Sequence, residues 1–270
     1  MPDTDDLLSE LVTIPPGEFH MGSSDGPEDE RPLHSIRLDA FEIGRHQVTH
    51  RQYARFVRET GHRPPAIYEL PLVVTAGGEE REQAFRASGT PYVWTEVEPP
   101  EGLLDHPVNL VRWDDAAAYC AWLSAAAGRI VRLPFEAEWE KAARGGLEGK
   151  RYAWGDRLEP GRGNFAGQGS GEAHGTTPVG SYPPNGFGLF DMTGNVWEWV
   201  QDWYGAQYYA ASPDRGPHGP PDGTLRLVRG GSWLAAEPRM LSCSYRHKVP
   251  PDTYSYSIGF RIAVAPERLA

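Results

Sequence analysis

Glycine and proline interrupt this chain too often for long regular elements to form. There are 31 glycines and 25 prolines among 270 residues, about one residue in five. Glycine brings freedom at positive φ and proline lacks an N–H, so both punctuate helices and ladders. Such a chain folds largely as turns and ordered loops between short elements. Order in those loops must then come from side-chain packing. Nine tryptophans supply it, because each indole brings a large apolar area that has to be covered. Apolar residues make 39% of the chain and aromatics 11%, enough for a sizeable core.

Charge and cysteine content narrow the classes of function. Acidic residues outnumber basic ones by 37 to 26, a formal net charge of -11. That field repels phosphate backbones and anionic lipid, so neither nucleic acid nor membrane is an expected partner. The surplus carboxylates serve solubility or hold a cation. Only Cys120 and Cys243 are present, and two buried free thiols are expected rather than a disulfide. The segment Met1 to Leu11 carries Asp3, Asp5, Asp6 and Glu10 and no apolar stretch of signal-peptide type. No stretch is long and apolar enough for a membrane span. A cytoplasmic location is the expectation.

No linker or internal repeat divides the chain, so one domain is expected over residues 11–270, preceded by a flexible acidic arm at 1–10. Leu11 to Gly22 reads as two short strands broken at Pro15-Pro16. Ser23 to Arg31 follows as an acidic loop, and Ser35 to Ile43 alternates as one strand. A helix is predicted after the N-cap Thr49, with Tyr53, Phe56 and Val57 as its apolar stripe and Gly61 as its stop. Residues 64–104 show no strong period and read as a surface excursion. A second helix is predicted at Asp114 to Ala127, with Ala118, Cys120, Ala121, Trp122 and Leu123 mostly inward and Asp114-Asp115 as helix-start charges. A third is predicted at Phe135 to Arg144, stopped by Gly145-Gly146. Short strands and turns fill the remainder. Helices early and strands late give an α+β class.

These segments carry a family pattern. Ile14 to Gly22 (IPPGEFHMG), Glu42 to Thr49 (EIGRHQVT), His106-Pro107-Val108, Trp113 to Ala116 and Arg132 to Gly146 (RLPFEAEWEKAARGG) are followed by Tyr152 to Asp156 (YAWGD). Asn185 to Trp199 (NGFGLFDMTGNVWEW), Arg229 to Trp233 (RGGSW) and Gly259-Phe260-Arg261 complete the set. In this order, over nearly the whole chain, they resemble the sulfatase-modifying-factor, or formylglycine-generating enzyme, family. The resemblance implies a compact variant of the C-type lectin fold with little regular secondary structure, often stabilised by calcium. That family hosts unrelated functions, so the fold leaves function open.

In the formylglycine-generating enzymes, two cysteines follow the Gly-Gly-Ser-aromatic run with four residues between them. They bind copper(I) and engage a substrate thiol, for which soft thiolates are required. Counted forward from Gly231, those positions fall on Ala235 and Met240. Counted back from Gly259, they fall on Trp233 and Pro238. No register supplies two thiols, so no copper is expected and formylglycine-generating oxidase activity is not. By the same resemblance, Cys243 and Cys120 match half-cystines whose partner positions are Ala143 and Ile262, which cannot bridge.

The resemblance also implies a calcium loop. Asp191 and Glu198 would give side-chain oxygens, and Gly194 and Val196 backbone carbonyls, a mixed oxygen shell of the kind calcium takes. The family commonly has Asn where Asp191 stands. A second family loop matches at Asn164 and Phe165 but places Gly171, beside Glu172, at an aspartate position. Read as structure alone, Asn195, Trp197 and Glu198 hold a buried turn.

Cys243 to Ile258 is rich in tyrosine and serine, residues that join rigid contact area to adaptable hydrogen bonds. The expected cleft is lined by Trp233, Tyr245, Arg246, His247, Tyr254 and Tyr256. It would make the chain a binding module for a peptide, protein or small-molecule ligand. The competing reading is strand alternation, with Tyr254 and Tyr256 on one face and Ser255 and Ser257 on the other. Two other functions stay open. One is a metal-dependent tailoring oxidoreductase using nonheme iron or copper, related to family members whose iron is held mostly by a fused helical bundle. Its only local hint is the i, i+4 pair His46 and His50, which otherwise reads as a solvated helix face. The other is a variable receptor diversified by a retroelement in this same stretch.

Overall fold

The computed structural model describes residue 8 and residues 10–166 and 175–265. Helix accounts for 26% and strand for 19%, so loops dominate, as the glycine and proline load requires. The arm at 1–10 lies outside the described residues except for Leu8 and Glu10. Leu8 packs on the core, and the Glu10 carboxylate meets His46 Nδ1 at 2.9 Å.

The two halves of the chain meet in one antiparallel sheet. Strands β1 (Leu11–Ile14), β4 (Phe41–Gly44), β5 (Val131–Arg132) and β10 (Ala263–Val264) stand in the order β1-β4-β10-β5. A second pair joins β2 (Gly17–Met21) to β3 (His34–Leu38). The alternating stretch from Ser35 to Ile43 is therefore two strands in two sheets, broken at Asp39-Ala40. The third sheet runs β8 (His247–Val249), β7 (Arg226–Arg229), β6 (Trp197–Trp203), β9 (Ile258–Phe260), with β6 and β9 parallel. Both faces of β6 are covered near its start, so Trp197, Glu198, Trp199 and Val200 are all buried.

The helices follow their caps. In α1 (His50–Thr60), Thr49 and Gln52 form a reciprocal capping box and Gly61 ends it in left-handed conformation. Helix α3 (Trp113–Ala127) buries Ala116, Tyr119, Cys120 and Leu123. These are i, i+3, i+4 and i+7, which leaves Ala121 exposed rather than inward. Helix α4 (Glu136–Arg144) is buried throughout. The 64–104 excursion is not all loop: it contains α2 (Glu79–Gly89), which starts on Glu79, Glu80 and Glu82 and buries only Phe85 and Gly89. One apolar anchor gives no period to detect. No helix among the described residues is long and apolar enough to cross a membrane.

Buried ion pairs fasten the loops. Arg261, fully buried, places Nε 2.6 Å from Glu198 Oε2 and Nη2 2.7 Å from Oε1, and also donates to the carbonyls of Gly44 and Phe190. Arg229 and Arg246 both meet Glu136. Burial pushes that carboxyl up, but Arg246 and Arg229 outweigh it and hold it below the usual range. Arg261→Ala leaves Glu198 buried without its partner, a loss of about 3–5 kcal/mol. We expect the melting temperature to fall by about 10 °C or more. Adding Glu198→Gln should restore part of it, and an additive double mutant would contradict the pairing.

The i, i+4 histidines are not a solvated pair. His50 is wholly buried at the start of α1, where Trp94 Nε1 donates to its Nδ1 at 2.9 Å. His46 precedes the helix and stacks on Phe190. Burial, with His106 nearby, pushes His50 down to about 3. The folded protein therefore keeps it neutral, while the unfolded chain takes a proton below about pH 6.5. Its stabilising contribution is complete above that pH and fades as pH falls toward 3, by about 1.4 kcal/mol per unit. His50→Gln keeps an acceptor for Trp94 and does not titrate. Between pH 7 and 5 this variant should lose about 2 kcal/mol less stability than the parent; equal losses by denaturant titration would refute the assignment.

Candidate functional site

The segment after Gly231 is pinned from both ends. Trp233 N donates to Asn195 O, and Trp197 N donates to Ser257 O. Residues 233 and 256–257 thus flank the start of β6. Trp233 and Tyr256 sit with ring centroids 6.0 Å apart. Trp197 contacts Tyr245 at 5.8 Å and His247 at 5.0 Å, and Tyr245 stacks on His247 at 6.4 Å. Trp233, Tyr245, His247 and Tyr256 are each half-buried. The Trp233 indole Nε1 is shielded from water and meets no protein acceptor among the described residues.

Two of the six expected cleft residues lie elsewhere. Arg246 is 2% exposed and fastened to Glu136 by Nε at 2.8 Å and Nη2 at 3.0 Å, with Tyr209 4.2 Å beneath the guanidinium. Tyr254 is 2% exposed; its hydroxyl bonds the Glu69 backbone and its ring faces Phe85. Both are buried anchors, not surface contacts. The alternative of strand alternation also fails, because residues 250–257 form turns between β8 and β9. Trp197, read in sequence as part of a motif, supplies the ring that gathers Tyr245 and His247.

The positions counted forward to thiols are apolar filling. Ala235 is 4% exposed in a cluster with Tyr152, Phe165 and Leu241, and Met240 packs against that cluster. Ser232 beside them is buried and accepts from Leu234 N at 3.3 Å. The two cysteines are free and buried in other places. Cys120 shares a core cluster with Ile262, and Cys243 shares one with Ala143. Burial, against the pull of Arg144, pushes the Cys243 thiol up to about 12. Burial raises Cys120 as well. Neither is a thiolate near neutral pH, so neither is an activated nucleophile.

The loop from Asp191 to Glu198 is wholly buried. Gly194 has φ +90, and a Cβ there would stand 2.3 Å from Asn164 O, so only glycine fits. Glu198 is saturated: Gln47 Nε2 and Arg261 meet Oε1, while Trp139 Nε1 and Arg261 meet Oε2. Gln47 Nε2 also lies 3.2 Å from Val196 O and 3.4 Å from Asp191 O. Asp191 is less satisfied. Its Oδ2 accepts from Gly180 N at 2.7 Å, but its Oδ1 is buried with no protein partner. Burial pushes this carboxyl up. Asp191 Oδ1 is thus an acceptor left over in the loop, whereas both Glu198 oxygens are taken. Gln47 was not singled out from sequence; it stands between His46 and Val48 with no local signal of its partner. In the second expected loop Asn164 is buried and bonds Asn195, whereas Gly171 and Glu172 lie outside the described residues. Among the described residues no three His, Cys, Asp or Glu side chains converge as a metal-ligand set.

Residues 1–266 match the sulfatase-modifying factor enzyme 1-like domain. A formylglycine-generating enzyme of Streptomyces coelicolor is 42% identical over 285 residues, covering 93% of this chain and 88% of that one. An inactive C-alpha-formylglycine-generating enzyme 2 of Bos taurus is 35% identical and covers 94% of this chain and 87% of that one. Among solved structures, PvdO from Pseudomonas aeruginosa superposes with a TM-score of 0.76 at 29% identity, covering 94% of each chain. The fold is the formylglycine-generating-enzyme-type variant of the C-type lectin fold, and the chain belongs to the sulfatase-modifying factor family.

Proposed function

We propose that this chain is a non-oxidase member of the family that binds a peptide, protein or small-molecule ligand. The observation that carries the reading is that neither count supplies two thiols: Trp233 and Pro238 stand at the positions counted back, and Ala235 and Met240, counted forward, are apolar filling. A relative of 35% identity bears the word inactive in its name, which agrees with loss of oxidation on a retained scaffold. The binding face is the set of half-buried rings Trp233, Tyr245, His247 and Tyr256, with Trp197 behind them. Such rings bring contact area at low conformational cost. Two buried free thiols suit a reducing compartment, and the cytoplasm is the proposed location.

Calcium belongs to the same reading as a structural ion. It would enter at Asp191 Oδ1, the acceptor with no protein partner, alongside the loop carbonyls. Its role is to neutralise a buried carboxylate and stiffen the loop whose Asn195 carbonyl holds Trp233.

Two measurements test this. Incubated with copper(I), oxygen and a cysteine-containing peptide, the parent protein should give no aldehyde by mass spectrometry. It should also hold no copper against a chelator, whereas Ala235→Cys with Met240→Cys should gain tight copper binding. Aldehyde formed by the parent would end the non-oxidase reading. Separately, millimolar calcium should raise the parent melting temperature and leave Asp191→Ala unmoved. The same response in both proteins, or none in the parent, removes calcium from Asp191.

A further inference from the structure

A cleft of about 440 Å³ adjoins the ring face through Arg239, whose guanidinium lies 5.8 Å over the Tyr245 ring. It lies between the 22–33 segment, the 149–156 turn and the Arg239–Ser244 stretch. Its volume is within the range of small-ligand sites, on the order of 300–1,000 Å³. The rim is charged but neutralised. Arg151 pairs with Asp25 at 3.0 Å, Lys150 with Asp156 at 2.7 Å and Arg239 with Glu237 at 2.8 Å. Both members of each pair are exposed, so these contacts are weak and exchange readily with water or ligand. Arg144 is committed deeper in, to Glu140 and to the carbonyls of Gly22 and Lys150.

Glu30 is the exception. It lines the cleft yet is only 3% exposed. Its carboxylate accepts one hydrogen bond, from Ser244 Oγ at 2.7 Å. Among the described residues no Arg, Lys or His lies within ion-pair distance of it. Ser242 Oγ stands 3.5 Å behind the Ser244 hydroxyl. Gly26 covers the carboxylate closely, since a Cβ there would come 2.9 Å from Oε2. Burial raises the Glu30 carboxyl, while Ser244 and the more distant Arg229 pull it the other way and Glu140 and Asp29 add to the rise. A carboxylate with one donor and unused lone pairs, at a cleft of this size, lacks a counter-ion. The missing group is a multi-donor cation, which the net charge of -11 also attracts.

We propose that this cleft binds a ligand carrying an alkylguanidinium or alkylammonium group, with Glu30 as its counter-ion and the Ser242 and Ser244 hydroxyls beside it. The chemistry is that of an arginine or lysine side chain or of a free alkylamine. The site rests on Glu30 and the two serines rather than on the rings, and it does not depend on the fate of the thiol positions. Calorimetry on the full chain with agmatine as cationic probe and inorganic phosphate as anionic probe tests it. Agmatine should bind at concentrations up to about 20 mM, and phosphate should not compete. Glu30→Gln should weaken agmatine by about tenfold or more, the loss of a hydrogen bond to a charged group. Ser24→Trp, at an exposed position of the rim, should do the same by closing the mouth without touching Glu30. Glu59→Gln, remote from the cleft, should change nothing. Absent agmatine binding, undiminished affinity in both cleft variants, or displacement by phosphate would each overturn the proposal.

Discussion

Buried guanidinium groups hold this fold where helices and sheets do not. Arg261 joins Glu198 to the carbonyls of Gly44 and Phe190. Arg229 joins Glu136 and Glu140 to the Cys243 carbonyl. Arg246 ties Glu136 to the carbonyls of Asp29 and Gly205, and Arg144 ties Glu140 to those of Gly22 and Lys150. Each links a carboxylate on a regular element to backbone carbonyls, most of them in loops or turns. A buried carbonyl without a donor destabilises by about 1–3 kcal/mol. Arginine suits the task because one rigid fork offers five donors and keeps its charge. Replacement by lysine would supply fewer, unfixed donors and leave some carbonyls bare.

This scheme shapes both candidate sites. The ring face stands on the segment that Asn195 and Ser257 pin to β6, and β6 is where Glu198 receives Arg261. The cleft at Glu30 lies over the Arg144–Glu140–Arg229 group. Glu140 carries two of the four guanidiniums, which leaves none for Glu30. A carboxylate can stay buried there only because Ser244 donates to it and solvent or ligand reaches the cleft.

Local signals made the helices legible. Thr49 with Gln52, Gly61, Gly128 and Gly145 announce caps that depend only on neighbouring residues. The family pattern made the fold legible, because its motifs are the loop-fastening residues themselves: Glu198 in NVWEW, Arg261 in GFR, Arg229 in RGGSW. What stayed hidden was partnership across the chain. Arg246 sits in a Tyr/Ser-rich stretch and reads as a surface contact, yet its partner Glu136 lies 110 residues earlier. Tyr254 reads alike and is fixed by Glu69, 185 residues away. His50 looks like a solvated helix residue until Trp94 closes over it. Helix α2 rests on Phe85 alone, too little for periodicity to register.

That the run after Gly231 carries no thiol pair and that the fold is complete have one physical explanation. The buried side-chain contacts that fasten the loops are made by arginine, glutamate and tryptophan, and none of them uses the side chain of Ala235 or Met240. Two thiols that work on substrate must stay reachable and deprotonated, so they can contribute little to packing. An alanine and a methionine at those positions can be covered, and here they join the cluster of Tyr152, Phe165 and Leu241. Methionine is well suited to the larger gap because its unbranched chain adapts to irregular space. Replacing reachable polar sulfur by covered apolar atoms adds burial without disturbing any guanidinium. Apolar side chains at these two positions therefore add to the buried cluster without drawing on any of the guanidinium contacts that close the loops.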